Sequence, residues 1–243
     1  MKVPALSTPP LEPPYGQALV EALEYIFETN DDVIAINLAG SVASGEQDAR
    51  SDLDLYVIIG GEKRHRDQRL FGGVPVEMFF NPEERARRAL GEDQLEGNAP
   101  AVKMMAFGHI IYDPVGVFER LRSEALDVME QGPTVPDEAI TFKRYTAVDQ
   151  MDNALDVVQR DPVTARLLAT EAVSQAIAVW FIERGGWTPR DKDRLSALRD
   201  ADPEAADAVE QFIESGDVND AESAIGVLLG VSGFFEWESI PEP

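Results

Sequence analysis

The sequence predicts an α+β protein in two parts, a small mixed sheet with flanking helices followed by an all-α helical bundle. Three observations carry that expectation. Short β-branched runs occur only in the first half, apolar positions at helical spacing fill the second, and QGPTVPDE (131–138) interrupts the chain between them. The expected domains are therefore residues 1–132 and 137–243. A chain of 243 residues, 44% of them hydrophobic, is long enough and apolar enough to bury a sizeable core.

Residues 1–14 hold five of the 16 prolines and are expected to be an irregular arm. From Tyr15 to Thr29, the apolar positions Leu19, Val20, Leu23, Ile26 and Phe27 recur as on a helix. VIAINLAG (33–40) reads as a buried strand, and SVASGEQDARS (41–51) as a loop with a short helix. LDLYVII (53–59) is a second strand, stopped by Gly60-Gly61, and EKRHRDQRLFGG (62–73) reads as a polar connection. VPVEMFF (74–80) is a third strand, with Pro75 near its start, where a missing N–H is tolerated. The segment 82–95 opens with proline and two glutamates, as helix starts favour. A helix at 101–108, a strand at 109–113 and a helix at 115–131 complete the first half. Residues 139–160, 163–184, 190–200, 203–215 and 218–231 all read as helices, broken at Asp161-Pro162, Gly185-Gly186, Asp202-Pro203 and Gly216.

Composition narrows the chemistry. With no cysteine, there is no disulfide, thiolate nucleophile or cysteine-bound zinc. The only histidines, His65 and His109, are too few for a multi-histidine metal site. A net charge of −24 disfavours nonspecific binding to nucleic acid. Lysine supplies only five of the 21 basic residues, and low lysine with abundant Asp and Glu resembles the composition of proteins that work in strong salt. No apolar run approaches the roughly 20 residues that cross a bilayer, and the N-terminal segment lacks a signal-peptide core. A soluble, cytoplasmic, membrane-free protein is the expectation, and an anionic ligand would need a local cation.

One segment stands out. Gly40-Ser41 follows a buried strand, and ten residues later Asp52-Leu53-Asp54 opens the next. Side chains alternate along a strand, so Asp52 and Asp54 share a face while Leu53 and Leu55 point to the core. Two carboxylates held this close repel each other unless a cation lies between them, and hard oxygen ligands favour Mg²⁺ or Mn²⁺. Glu77 is a third acid, set in the middle of the apolar strand VPVEMFF, where an ionised carboxylate needs a partner.

LAGSVASGEQDARSDLDLYVI followed by VPVEMFF resembles the nucleotidyltransferase superfamily of DNA polymerase β and the antibiotic nucleotidyltransferases. Its pattern is an apolar strand, Gly-Ser, about ten residues, Asp-x-Asp between apolar residues, and a carboxylate on a later strand. The match spans residues 33–80, and all three acid positions are filled. In the second half, Trp187-Thr188-Pro189 and the following Lys192 look like the helical domain of kanamycin- and lincosamide-type enzymes. The resemblance implies a nucleotidyltransferase-type sheet and transfer of a nucleoside monophosphate from a nucleoside triphosphate to a small hydroxylated acceptor, with release of pyrophosphate. It implies Mg²⁺ or Mn²⁺ on Asp52, Asp54 and Glu77, with Glu77 also helping to deprotonate the acceptor. Gly40, Ser41, Ser51 and Lys192 would contact the nucleotide phosphates. The sequence does not choose among ATP, GTP, CTP and UTP, and a homodimer is left open.

The other polar groups have plainer explanations. The cluster Lys63, Arg64, His65, Arg66 and Arg69 has no interleaved aromatic residue and reads as a solvated loop. Arg50 fits a surface role at least as well as a phosphate contact, and for Lys103 and Lys192 alike a snorkelling lysine explains the position as well as a triphosphate contact does. His109 reads as a satisfied core histidine. Glu171, Asp149 and Asp152 are remote candidates for a base, and Phe234, Phe235 and Trp237 suit core packing better than an acceptor pocket. Two alternatives to a small-molecule enzyme are a toxin–antitoxin-type enzyme that modifies a protein and a noncatalytic nucleotide-binding protein of the same fold. The intact acids argue against the second.

Overall fold

The structure, a computed structural model, describes residues 6–48, 50–231 and 235–238. The chain divides into two units, Met1–Gln94 with Ala99–Gln131 and Leu95–Asn98 with Gly132–Pro243.

The first unit is built on a five-stranded mixed sheet in the order β3-β4-β2-β1-β5. The strands are β1 (Val33–Ala39), β2 (Leu53–Ile59), β3 (His65–Phe71), β4 (Val74–Pro82) and β5 (His109–Tyr112). Helix α1 (Tyr15–Thr29) lays Leu19, Leu23 and Ile26 against one face of the sheet, on Ile36, Leu38, Leu53, Leu55, Val57, Val76 and Met78. All of these side chains are almost fully buried, and each contributes about 1.5–3 kcal/mol by leaving water. Val20 does not join them; it is 51% exposed. The opposite face receives α4 (Pro100–Phe107) and α5 (Val117–Gln131). There Tyr56 meets Phe118 of α5 edge-on at 6.1 Å, and the buried Asn37 amide donates to the Met104 carbonyl at 2.9 Å. The short α2 (Gly40–Ser44) follows β1, and α3 (Glu83–Glu96) follows β4.

The segment 62–73, expected to be a polar connection, contains β3 instead. It is an edge strand with most of its side chains in solvent, so it carries none of the apolar alternation that marks a half-buried strand. Polar contacts hold its inner side. Tyr25 of α1 donates to Asp67 at 2.8 Å, Arg69 donates to the same oxygen at 2.7 Å, and the Arg69 guanidinium lies 4.5 Å from the centre of the Tyr25 ring. The legible signal was Gly72-Gly73. With φ of 56° and 85°, they form the two-residue link between β3 and β4, a conformation that favours glycine at both positions.

The second unit is helical: α6 (Asp137–Val157), α7 (Pro162–Glu183), α8 (Arg194–Ala201), α9 (Pro203–Ser215) and α10 (Val218–Leu229), with a 3₁₀ turn at Asp191–Asp193. The Asp-Pro pairs that read as breaks are helix starts. Asp161 accepts the Thr164 N–H and Asp202 the Ala205 N–H, each followed by a proline at the first helical position. Small side chains dominate the α6–α7 seam, with Ala147 and Ala154 on one helix and Ala165, Ala169, Ala172 and Ala176 on the other. Helix α7 is long and apolar enough to cross a membrane by length and composition, which corrects the expectation that no segment approaches that limit. Half of the qualifying stretch is buried in this core. Among the aromatic residues near the C-terminus, Phe234 lies outside the described residues. Trp237 packs on Phe142 and Tyr145 at 5.7 and 4.9 Å, and Phe235 lies under the Arg144 guanidinium at 5.4 Å.

Candidate metal and phosphate site

Strand pairing places the acids. β1 runs antiparallel to β2 with Ala39 opposite Asp54, and β4 runs parallel to β2 with Glu77 beside Asp54. Alternation therefore puts Asp54 and Glu77 in one row on the face away from α1, and Asp52, two residues before Asp54, on the same side. One carboxylate oxygen from each of the three acids lies within 4.8 Å of the others. Glu77 is buried, while Asp52 and Asp54 are half-buried.

Gly40 closes β1 against this row. Its φ of 74° suits glycine, and a β-carbon there would overlap the Asp54 carboxylate. The backbone at the strand end can approach the acid only because this position has no side chain. Ser41 follows at the start of α2, and its hydroxyl donates to Ser51 Oγ at 3.0 Å. Ser51 Oγ also accepts the Asp48 N–H at 2.9 Å, and the Tyr15 hydroxyl donates to the Asp48 and Ser51 carbonyls at 2.8 and 3.2 Å. The loop between α2 and β2 is thus tied to α1 next to the acids. Tyr15 in this role was missed from the sequence, and no motif marks it.

Three carboxylates this close need positive charge. Arg66 supplies some of it, because its guanidinium forms an ion pair with Glu77 and lies 4.8 Å from the centre of the Phe79 ring. Arg66 sits opposite Phe79 in the β3–β4 register, so it reaches Glu77 along the diagonal on the same face. Arg66 was expected in a solvated loop; it is on β3 and touches the acid cluster. Two others of that basic group make different contacts. His65 stacks on Phe80 at 4.2 Å, on the other face of the sheet, and Arg69 pairs with Asp67.

The donor set fits a hard divalent cation. Mg²⁺ and Mn²⁺ take oxygen ligands at about 2.0–2.1 Å for the smaller ion, so two ligands on opposite sides of one ion stand about 4.2 Å apart. The three carboxylates come close to that spacing, and all of their ligand atoms are oxygen.

Lys192 belongs to the second unit, exposed on the turn Asp191–Asp193, where Arg194 pairs with Asp191 and Arg190 with Asp193. Arg50 is exposed. The half-buried His109 holds the Ser7 carbonyl through Nε2 at 2.7 Å. Glu171 accepts from Gln150 at 2.7 Å on the surface of the helical unit. Burial, with Asp149 and Asp156 nearby, pushes the Asp152 carboxyl above the usual range.

No family model and no curated protein matches this sequence. Among solved structures, the chain is similar to a nucleotidyltransferase-like protein from Exiguobacterium sibiricum 255-15. The identity is 15% and the TM-score 0.54, over 89% of this chain and 74% of that one. The fold is therefore of the nucleotidyltransferase type, with a helical C-terminal region. At this identity the likeness is one of fold, and it does not single out the kanamycin or lincosamide enzymes.

Proposed function

We propose that the protein is a metal-dependent nucleotidyltransferase that moves a nucleoside monophosphate from a nucleoside triphosphate to a hydroxyl of a small acceptor. The bond formed is between the acceptor oxygen and the α-phosphorus. The bond broken links that phosphorus to the departing pyrophosphate, and the hydroxyl proton leaves to a base. The observation that carries this reading is the convergence of Asp52, Asp54 and Glu77 on one face of a nucleotidyltransferase-type sheet.

Asp52, Asp54 and Glu77 would hold Mg²⁺ or Mn²⁺, which supplies positive charge to the phosphates and to the developing charge on the reacting oxygens. Gly40 has no side chain, which lets the backbone at the end of β1 lie against the Asp54 carboxylate, and the family resemblance implies a phosphate contact for that backbone. Ser41 offers a hydroxyl and an N–H beside it, and Ser51 orients that hydroxyl. Glu77, the most buried of the three acids, is the group proposed to accept the acceptor's proton. Lys192→Ala tests the phosphate contact that the family resemblance implies for that lysine.

A second reading, a noncatalytic nucleotide-binding protein of the same fold, rests on the Arg66–Glu77 ion pair, which gives Glu77 a structural partner. Pyrophosphate release separates the two readings. Each of ATP, GTP, CTP and UTP is incubated with Mg²⁺ or Mn²⁺ and a panel of hydroxylated acceptors, with Asp54→Asn as control. Stoichiometric pyrophosphate from one acceptor, absent in the variant, supports the enzyme. Nucleotide binding without turnover across the panel supports the second reading.

A further inference from the structure

The Arg66–Glu77 ion pair takes no part in the transfer proposed above, yet it occupies one of the three carboxylates that transfer needs. The two partners differ in setting. The Glu77 side chain is 11% exposed, whereas that of Arg66 is 61% exposed on an edge strand. A carboxylate so enclosed, with Asp52 and Asp54 as neighbours, is costly to leave without a positive partner. The guanidinium, by contrast, loses little on returning to water, because half-exposed ion pairs are weak. It also has a resting place. Its group lies 4.8 Å from the centre of Phe79, whose ring is stacked on Tyr56 at 6.2 Å, so the side chain can stay on that ring after releasing the acid.

We propose that Arg66 is the resident counter-ion of the acid cluster, and that a divalent cation enters by displacing its guanidinium from Glu77. Arg66 thereby sets the affinity of the site for the metal. This rests on the metal-site reading above. The competition is local, because a metal and a guanidinium both need the same carboxylate oxygens.

Arg69 provides a matched control. It carries the same charge three residues along β3, but on the face that meets Tyr25, paired with Asp67. The test is a Mn²⁺ titration in which free Mn²⁺ is read by electron paramagnetic resonance, with circular dichroism to check that each variant is folded. Arg66→Gln is expected to tighten Mn²⁺ binding about two- to fivefold, the range for loss of a partly exposed ion pair. Arg66→Lys should stay near wild type, and Arg69→Gln should change affinity less than Arg66→Gln. In a Glu77→Gln background, Arg66→Gln should have no effect, because the contact through which it acts is gone.

Unchanged or weaker Mn²⁺ binding by Arg66→Gln overturns the proposal. Equal tightening by Arg69→Gln also overturns it, since bulk charge would then account for the effect. If wild type binds Mn²⁺ and Arg66→Gln binds it equally well, this inference alone falls and the metal site stands. If no folded variant binds Mn²⁺, the metal-site reading falls with it.

Discussion

The two faces of β2 and β4 are made from alternate residues of the same strands, yet they obey opposite rules. One face presents Leu53, Leu55, Val57, Val76 and Met78 to α1 and is almost fully buried. The other presents Asp54 and Glu77, with Asp52 just ahead, in a cluster that leaves two of its carboxylates half-buried. The first face is stabilised by loss of water from apolar surface. The second concentrates like charge, which opposes folding and is tolerated where a ligand or counter-ion brings positive charge. The contrast implies that substitutions on one face change stability and those on the other change chemistry.

The largest expected effect is on the acidic face. Asp54→Asn should lower pyrophosphate release by about 10³-fold or more, the scale of losing several kcal/mol of metal-supported stabilisation. Its melting temperature should stay at or above that of wild type, because a like charge has been removed. Activity assays paired with thermal melts check both parts, and a variant that simply unfolds would erase the distinction between the faces. On the apolar face, Leu55→Ala should cost about 2–5 kcal/mol in denaturant titration, since the site is fully enclosed and cannot collapse easily. The folded fraction of that variant should still bind Mn²⁺ as wild type does.

Gly40 lies where the two faces meet the strand end. Gly40→Ala is expected to lose about 1–3 kcal/mol of stability through its positive φ. It should also weaken Mn²⁺ binding, because the new methyl displaces the Asp54 carboxylate. The two losses are read separately by melting and by metal titration.

The smallest effect is at the sheet edge. Burial pushes the Asp67 carboxyl up, but hydrogen bonds from Arg69 and Tyr25 and the charge of Arg69 outweigh it and hold the carboxyl below its usual range. A group whose pKa falls on folding stabilises the folded chain above its unfolded pKa, and this contribution is lost as pH falls through the folded one. Wild type should therefore melt above Asp67→Asn at pH 7, and the gap should close below about pH 4. Melting curves of both proteins across that range measure it. A gap that persists at low pH would mean that β3 is not held by this ion pair.

The sequence made the acids legible as a group because strand alternation is a strict rule: Asp52-Leu53-Asp54 and a lone glutamate in VPVEMFF stand out against apolar neighbours. The structure brings these three together. Gly40 was legible as a special position, although the reason it is glycine, the carboxylate pressed against it, emerges only from the pairing of β1 with β2. Arg66 was not legible. Its strand is polar on both sides, so periodicity is silent there, and its partner lies on the next strand across a Gly-Gly turn. Tyr15 was hidden for a similar reason: it was read as the first residue of a helix, while its hydroxyl serves a loop more than 30 residues away. The helical half was readable from its periodicity, and the Asp-Pro breaks were N-caps whose stop and start signals coincide.

If the acidic face is the proposed divalent-cation site for nucleotide chemistry, triphosphate and metal bind there together. The most direct test is calorimetric titration of the wild-type protein and Asp54→Asn with each nucleoside triphosphate, with and without Mn²⁺. At least one triphosphate should bind wild type only when Mn²⁺ is present, and Asp54→Asn should abolish this binding while remaining folded. Binding that is indifferent to Mn²⁺ and to Asp54, or no binding by the folded wild-type protein under any condition, would contradict the proposed site.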